Sequence, residues 1–291
     1  MSSNMMAFAG FRPRATAWTA DDRTMTGARP DRLLTLMVQE SPAPRDVDAN
    51  VERVRVLLGE RPGVDIAVFP ELFLTGYQLD RLGGLAMGLD AAAISAIRRV
   101  SAEFQTAFVG GYLERGDDGA VYNSMLVIDS AGSIAGNYRK THLFGTEGSV
   151  FGAGDRLACV DVGTVRIGPM ICFDLEIAEV ARALAFQNPD VFIGIAANMA
   201  PFHGDHLVAS CARALDNRTP LIYVNRVGSE SGFEFVGGSR VVGSDGQILE
   251  DFGCRRRVAV VEVPLRRDTP SDVDYLRHLR PELYRDHDEP R

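Results

Sequence analysis

Apolar residues alternate between two spacings along the chain. Short apolar runs predict strands over 33–39 and 65–69, the second stopped by Pro70. Between them, Val47, Val51, Val54, Leu57 and Leu58 recur three or four positions apart, which predicts a helix over 46–60. Ile94, Ile97 and Phe104 give a second amphipathic helix over 90–104. Strands follow at 108–112, 124–129 and 134–138, the last two joined by Ser130-Ala131-Gly132-Ser133, a hairpin-type loop. The strand–helix order then resumes: strand 165–171, helix 176–187, strand 191–195, helix 206–217, strand 221–225. Segments 239–243 and 248–250 flank the turn Ser244-Asp245-Gly246-Gln247, and 258–263 reads as the last strand. Strands alternating with helices, with hairpins in the middle and near the end, predict an α/β protein with a mixed sheet. No composition break divides residues 33–265, so one domain is expected there.

Composition narrows this picture. The 291 residues are 46% hydrophobic, enough for a sizeable core and too apolar for a wholly disordered chain. With 31 basic against 39 acidic residues the net charge is −8, which speaks against nucleic-acid binding by phosphate neutralisation. No apolar stretch reaches the roughly 18 residues of a membrane span. Residues 1–32 hold Arg12, Arg14, Arg23, Arg29 and Arg32 among scattered Pro, Gly, Ser and Thr, without an apolar signal-peptide core. They are expected to form a flexible tail, the alternative being an arm that docks on a neighbouring subunit. The four cysteines, Cys159, Cys172, Cys211 and Cys254, form no CxxC pair, so a reduced, cytoplasmic protein is expected.

Four residues could carry chemistry. Cys172 lies where a strand hands over to a helix, and a thiol at a helix N-terminus is favoured as thiolate. A lone cysteine in apolar company also fits a buried structural role. Glu71 follows Ile66-Ala67-Val68-Phe69-Pro70, and partial desolvation would suit a general base; a solvated strand end is the plainer reading. Lys140 could stabilise an oxyanion if buried beside carboxylates, or sit at the surface. Glu147, seven residues on, is by default a loop residue. His203 and His206 are three apart, but the other histidines supply no matching motif for zinc, so no metal is expected. Gly110-Gly111 and Gly237-Gly238 read as turns or points of close approach.

Together, and in this order, these residues resemble the nitrilase superfamily of carbon–nitrogen hydrolases. The matching stretches are Val68-Phe69-Pro70-Glu71-Leu72, Tyr138-Arg139-Lys140-Thr141-His142-Leu143 and Ile171-Cys172-Phe173-Asp174. Arg213-Ala214-Leu215-Asp216-Asn217 and Val224-Asn225-Arg226-Val227-Gly228 support them, and Lys140 and Cys172 stand 32 positions apart. The resemblance spans about 33–284. It implies a four-layer α-β-β-α sandwich of two mixed six-stranded sheets, with residues 266–291 as a carboxy-terminal extension that could reach a dimer interface. It implies Glu71 as general base, Lys140 as catalytic lysine, Cys172 as nucleophile and Glu147 as a second glutamate orienting the lysine. Lys140 and the Phe173 N–H would hold the oxyanion, while Asn198, Met199 and Tyr77 would contact substrate. Ile177-Ala178-Glu179 departs from the aromatic-Pro-Glu of many relatives, which affects the wall after the nucleophile. Cys172-Phe173-Asp174 differs from the Cys-Trp-Glu of nitrilases and the Cys-Asn-Asp of N-carbamoyl-amino-acid hydrolases. The leading expectation is therefore a cysteine amidase acting on a small carboxamide through a thioester, without metal or cofactor, as a homodimer or higher homo-oligomer. An N-carbamoyl amide hydrolase and a non-catalytic binding protein on the same fold are the rivals.

Overall fold

The computed structural model describes residues 30–265 and 270–283. The expected tail over 1–32 falls outside them except for its last three residues. Of these, Arg32 opens the first strand, one residue before the start expected for it.

The strands are β1 (Arg32–Gln39), β2 (Ile66–Val68), β3 (Ala107–Arg115), β4 (Val121–Ile128), β5 (Ile134–Arg139), β6 (Val160–Val162) and β7 (Val165–Ile171). They continue as β8 (Val191–Ala196), β9 (Leu221–Asn225), β10 (Val227–Glu230), β11 (Phe233–Val236), β12 (Arg240–Val242), β13 (Ile248–Asp251) and β14 (Arg257–Pro264). The helices are α1 (Val47–Gly59), α2 (Ala92–Phe104), α3 (Ala178–Ala185) and α4 (His203–Asn217). Asp46 caps α1 by accepting the Ala49 N–H at 3.0 Å.

Two six-stranded mixed sheets form, in the orders β14-β1-β2-β3-β4-β5 and β13-β12-β9-β8-β7-β6. Each keeps three parallel strands at its centre, β1-β2-β3 and β7-β8-β9, with antiparallel strands outside. Strand periodicity explains the layering, because successive side chains point to opposite faces. Ile66 and Val68 of β2 meet Ile193 and Ile195 of β8 in the core between the sheets. Ala67 turns the other way, under Leu57 and Ile97 of α1 and α2. On the second sheet Phe192 and Ala196 pack beneath Leu184 of α3 and Ala209 of α4. The result is the four-layer α-β-β-α sandwich.

Three elements differ from the sequence reading. β6 is three residues long, too short for a periodic window to register. β10 and β11 form a separate hairpin whose turn, Ser231-Gly232, has positive φ at both positions (53° and 85°). The helix expected over 176–187 is present but two residues shorter at each end: α3 runs from Ala178 to Ala185, Ile177 is extended, and a separate 3-10 turn covers Cys172–Leu175. The carboxy-terminal segment makes 3-10 turns over its own chain. There Arg218 donates to the Val273 carbonyl at 2.9 Å and stacks over Tyr275 at 4.4 Å. Among the described residues no helix is long and apolar enough to cross a membrane.

Candidate active site

The site is assembled from loops at one end of the strands. Glu71 follows β2, Lys140 follows β5, and Cys172 follows β7. Glu71 is set against β3 by a close backbone approach. Gly111 donates to the Pro70 carbonyl at 3.1 Å and accepts from the Leu74 N–H at 3.0 Å. A Cβ at Gly111 would collide with the backbone of Glu71 and Leu72, so glycine is required there. Of the expected close-approach points, this one bears directly on the site.

Lys140 is the only lysine in the chain; every other basic side chain of the Lys/Arg class is arginine. It is 1% exposed, and its Nζ lies 2.9 Å from Glu71 Oε1 and 2.8 Å from Glu147 Oε2, both carboxylates being equally buried. Burial works against its charge, but Glu71, Cys172 and Glu147 outweigh it and hold the ammonium well above the ordinary lysine range. Glu71 also accepts from Asn123 Nδ2 and from the Ala197 N–H, each at 2.6 Å. Glu147 accepts from the Phe144 N–H at 2.8 Å and from Tyr77 Oη at 2.9 Å. Burial first, then Glu147 and Glu71, push the Tyr77 hydroxyl up, so it remains a donor. Tyr77, expected at the substrate, thus spends its hydroxyl on Glu147.

Cys172 takes φ = 48°, a left-handed backbone that a non-glycine residue adopts at a cost. Asp174 holds this turn. Its Oδ2 accepts from the Ile171 N–H at 3.1 Å and from Tyr138 Oη at 2.8 Å. Its Oδ1 accepts from Thr141 Oγ1 at 2.8 Å and from the His142 N–H at 2.9 Å. One buried carboxylate therefore ties the cysteine turn to both sides of Lys140. Phe173 occupies the first turn of the 3-10 segment, where an N–H has no partner within the turn. The thiol does not sit on an α-helix N-terminus, because the chain is extended at Ile177. Burial, then Glu71, raise it well above the ordinary thiol range against the pull of Lys140. The thiolate expected from a helix dipole is replaced by a protonated thiol beside a carboxylate.

A narrow cavity opens on Cys172. Phe144, Phe173, Met199 and Phe202 supply its apolar wall, and Asn198, Glu176 and His206 its polar groups. Asn198 is fixed by Asn225, which accepts from the Asn198 N–H at 2.8 Å and donates to its carbonyl at 3.1 Å. Asn123, Asp174 and Asn225 had no assigned role in the sequence reading. Asp174 and Asn225 stand inside the family-like stretches 171–174 and 224–228, and Asn123, with Ser124, is a polar residue in the largely apolar strand β4. His206 uses both ring nitrogens within the protein, Nε2 on Glu176 and Nδ1 on Tyr223, and His203 opens α4. Among the described residues no group of three or more His, Cys, Asp or Glu is placed to hold a metal ion.

A four-layer sandwich of two six-stranded mixed sheets is the architecture of nitrilase-superfamily structures. The chain belongs to the carbon–nitrogen hydrolase family, whose model matches residues 36–269. It is 34% identical over 278 residues to a hydrolase encoded in the pqqF 5' region of Pseudomonas protegens, covering 94% of this chain and 97% of the relative. It is 36% identical over 220 residues to an (R)-stereoselective amidase of a Pseudomonas species, covering 74% and 80%. Among solved structures it is similar to a mutant of the amidase from Nesterenkonia sp. AN1, with TM-score 0.78 and 27% identity over 90% of this chain and 100% of that one. That mutant shows covalent addition of the acetamide moiety of fluoroacetamide at its active site cysteine.

Proposed function

We propose that this protein is a cysteine amidase that releases ammonia from a small primary carboxamide. The observation that carries the reading is the buried lysine fixed between Glu71 and Glu147, next to a thiol that burial keeps protonated. A protonated thiol is a weak nucleophile and needs a base within reach. Glu71 takes the Cys172 proton as sulfur attacks the carbonyl carbon, and the oxygen becomes an oxyanion held by Lys140 and the Phe173 N–H. Collapse breaks the carbon–nitrogen bond, Glu71 protonates the departing amine, and ammonia leaves a thioester on Cys172. Glu71 then takes a proton from water, the hydroxide attacks the thioester, and a carboxylic acid and the thiol are released. Glu147, oriented by Tyr77 and the Phe144 N–H, positions Lys140; no step calls for a metal or cofactor. Asn198 and Met199 line the substrate cavity. The similarity to two amidases supports this choice of substrate class.

The test is ammonia release from a panel of primary carboxamides, N-carbamoyl compounds and nitriles. Release from carboxamides supports the reading. Joint release of ammonia and carbon dioxide from N-carbamoyl compounds alone would replace it with ureido hydrolysis. The protein is further proposed to act as a homodimer. Phe186 at the end of α3 is 58% exposed and Val208 on α4 69%, an apolar area that a two-fold mate would cover. Light scattering should give at least twice the chain mass of 31.7 kDa; the chain mass itself would contradict the dimer.

A further inference from the structure

The cavity at Cys172 contains one carboxylate that the proposed chemistry does not use. Glu176 directly follows the 3-10 turn carrying Cys172, and its side chain is 25% exposed among Phe144, Phe173, Met199 and Phe202. A carboxylate in such surroundings is costly unless it is held by a donor. His206 supplies one: its Nε2 lies 3.0 Å from Glu176 Oε1, while its Nδ1 lies 2.8 Å from Tyr223 Oη. The neutral tautomer with the proton on Nε2 gives both contacts a donor and an acceptor. His206 then donates to Glu176, and Tyr223 donates to Nδ1. In that arrangement the carboxylate is aimed but its charge is not cancelled.

Arg213 of α4 and Arg240 of β12 spend their hydrogen bonds on groups other than the Glu176 carboxylate. Arg213 donates to the backbone carbonyls of Leu175 and Glu176, at 3.1 and 3.0 Å, and faces Asp216 at 3.5 Å. Arg240 donates to the His206 carbonyl and to Ser210 Oγ, both at 3.1 Å. The substrate cavity therefore presents a carboxylate one short turn from the nucleophile, in a wall whose other polar groups are Asn198 and His206.

We propose that Glu176 selects substrates by charge, favouring small carboxamides that carry an ammonium group near the amide and excluding those that carry a carboxylate. This rests on the amidase reading above and adds the substrate class to it. An ammonium placed there gains a charge-assisted hydrogen bond, whereas a carboxylate meets a like charge in a medium that screens poorly. Discrimination thus uses both an attraction and a repulsion.

The test compares three straight-chain primary carboxamides of equal length, ending in an ammonium, a methyl or a carboxylate, by kcat/KM for ammonia release. The wild-type protein should prefer the ammonium-ended amide to the carboxylate-ended one. In Glu176→Gln the ratio of ammonium-ended to methyl-ended kcat/KM should fall roughly ten- to a hundredfold, the range of a charge-assisted hydrogen bond. The ratio of carboxylate-ended to methyl-ended should rise. The wild-type series needs no variant, so it tests the proposal even where the variant folds poorly. A wild-type preference for the carboxylate, or ratios that do not move in E176Q, would overturn it. Turnover of the methyl-ended amide alone overturns the charge proposal and leaves the amidase reading standing. Turnover of none of the three overturns both.

Discussion

Lys140 Nζ stands 2.9 Å from Glu71 Oε1, although the residues are 69 positions apart and neither side chain is more than 1% exposed. The pair exists only because β2 and β5 end on the same side of one sheet. With Glu147 as the second carboxylate, the sole lysine of the chain compensates two buried charges at once. Removing either partner from a buried charge pair leaves the other uncompensated, which makes this contact both structural and chemical.

Lys140→Met should lower stability by about 3–5 kcal/mol, read by urea unfolding, and abolish turnover. Lys140→Arg should also be inactive, because a planar fork cannot replace a compact ammonium between two carboxylates. The folded pKa of Lys140 lies above its unfolded value. Its contribution to stability is therefore complete below the unfolded value of about 10.4 and is lost as pH rises through the folded one. Since no other lysine is present, an amine-selective reagent should modify Lys140 only after unfolding; modification of the native protein located at Lys140 by peptide mapping, apart from the chain's α-amine, would contradict its burial.

Alkylation of Cys172 should report a thiol, not a resting thiolate–ammonium pair. Burial and Glu71 raise its pKa, so the rate with iodoacetamide should keep climbing beyond pH 9 instead of levelling near the free-cysteine value of about 8.5. A plateau below pH 8 would contradict the general-base role given to Glu71. Cys159, pushed up to about 12 by burial, should react far more slowly than the exposed Cys254 at neutral pH.

Much of this was legible in the chain. Helices α1 and α2 announce themselves by period, and β8, buried on both faces, reads as the continuous run Val191-Phe192-Ile193-Gly194-Ile195-Ala196. Glu71, Lys140 and Cys172 were legible through short local motifs, and Glu147 only through the position that the family resemblance gives it, seven residues after Lys140. The partners that hold them were not, because they come from remote segments: Asn123 reaches Glu71 across 52 positions, Tyr77 reaches Glu147 across 70, and Tyr138 reaches Asp174 across 36. Periodicity placed the helix from Glu176, close behind Cys172, and left 172–175 unassigned, because a four-residue 3-10 turn is too short to show a period. Only the extended backbone at Ile177 separates the nucleophile turn from α3 and removes the dipole argument for a thiolate.

Asp174 should behave as a positioning residue. Asp174→Ala leaves the donors of Ile171, Tyr138, Thr141 and His142 without their buried acceptor, at about 1–3 kcal/mol each where no water replaces it. Lower stability should accompany a drop in kcat of about 100-fold, the scale of a small misplacement of reacting groups. In Asp174→Asn the retained oxygen should recover part of both; kcat unchanged in the alanine variant would contradict the role.

Gly111→Ala should displace the Glu71 loop, since the new methyl would meet the backbone of Glu71 and Leu72. A loss of about 1–3 kcal/mol is expected, with kcat falling more than KM rises. Full activity in this variant would show that the loop can yield without moving Glu71.

The claim at the centre of this account is that Cys172 forms the thioester. Ammonia release from a primary carboxamide, measured side by side for the wild-type protein and Cys172→Ala at matched thermal stability, tests it most directly. The wild type should release ammonia, and the variant should lose about 10⁴-fold or more of that rate, the scale seen when a nucleophile is removed. Near-normal release by Cys172→Ala would contradict it.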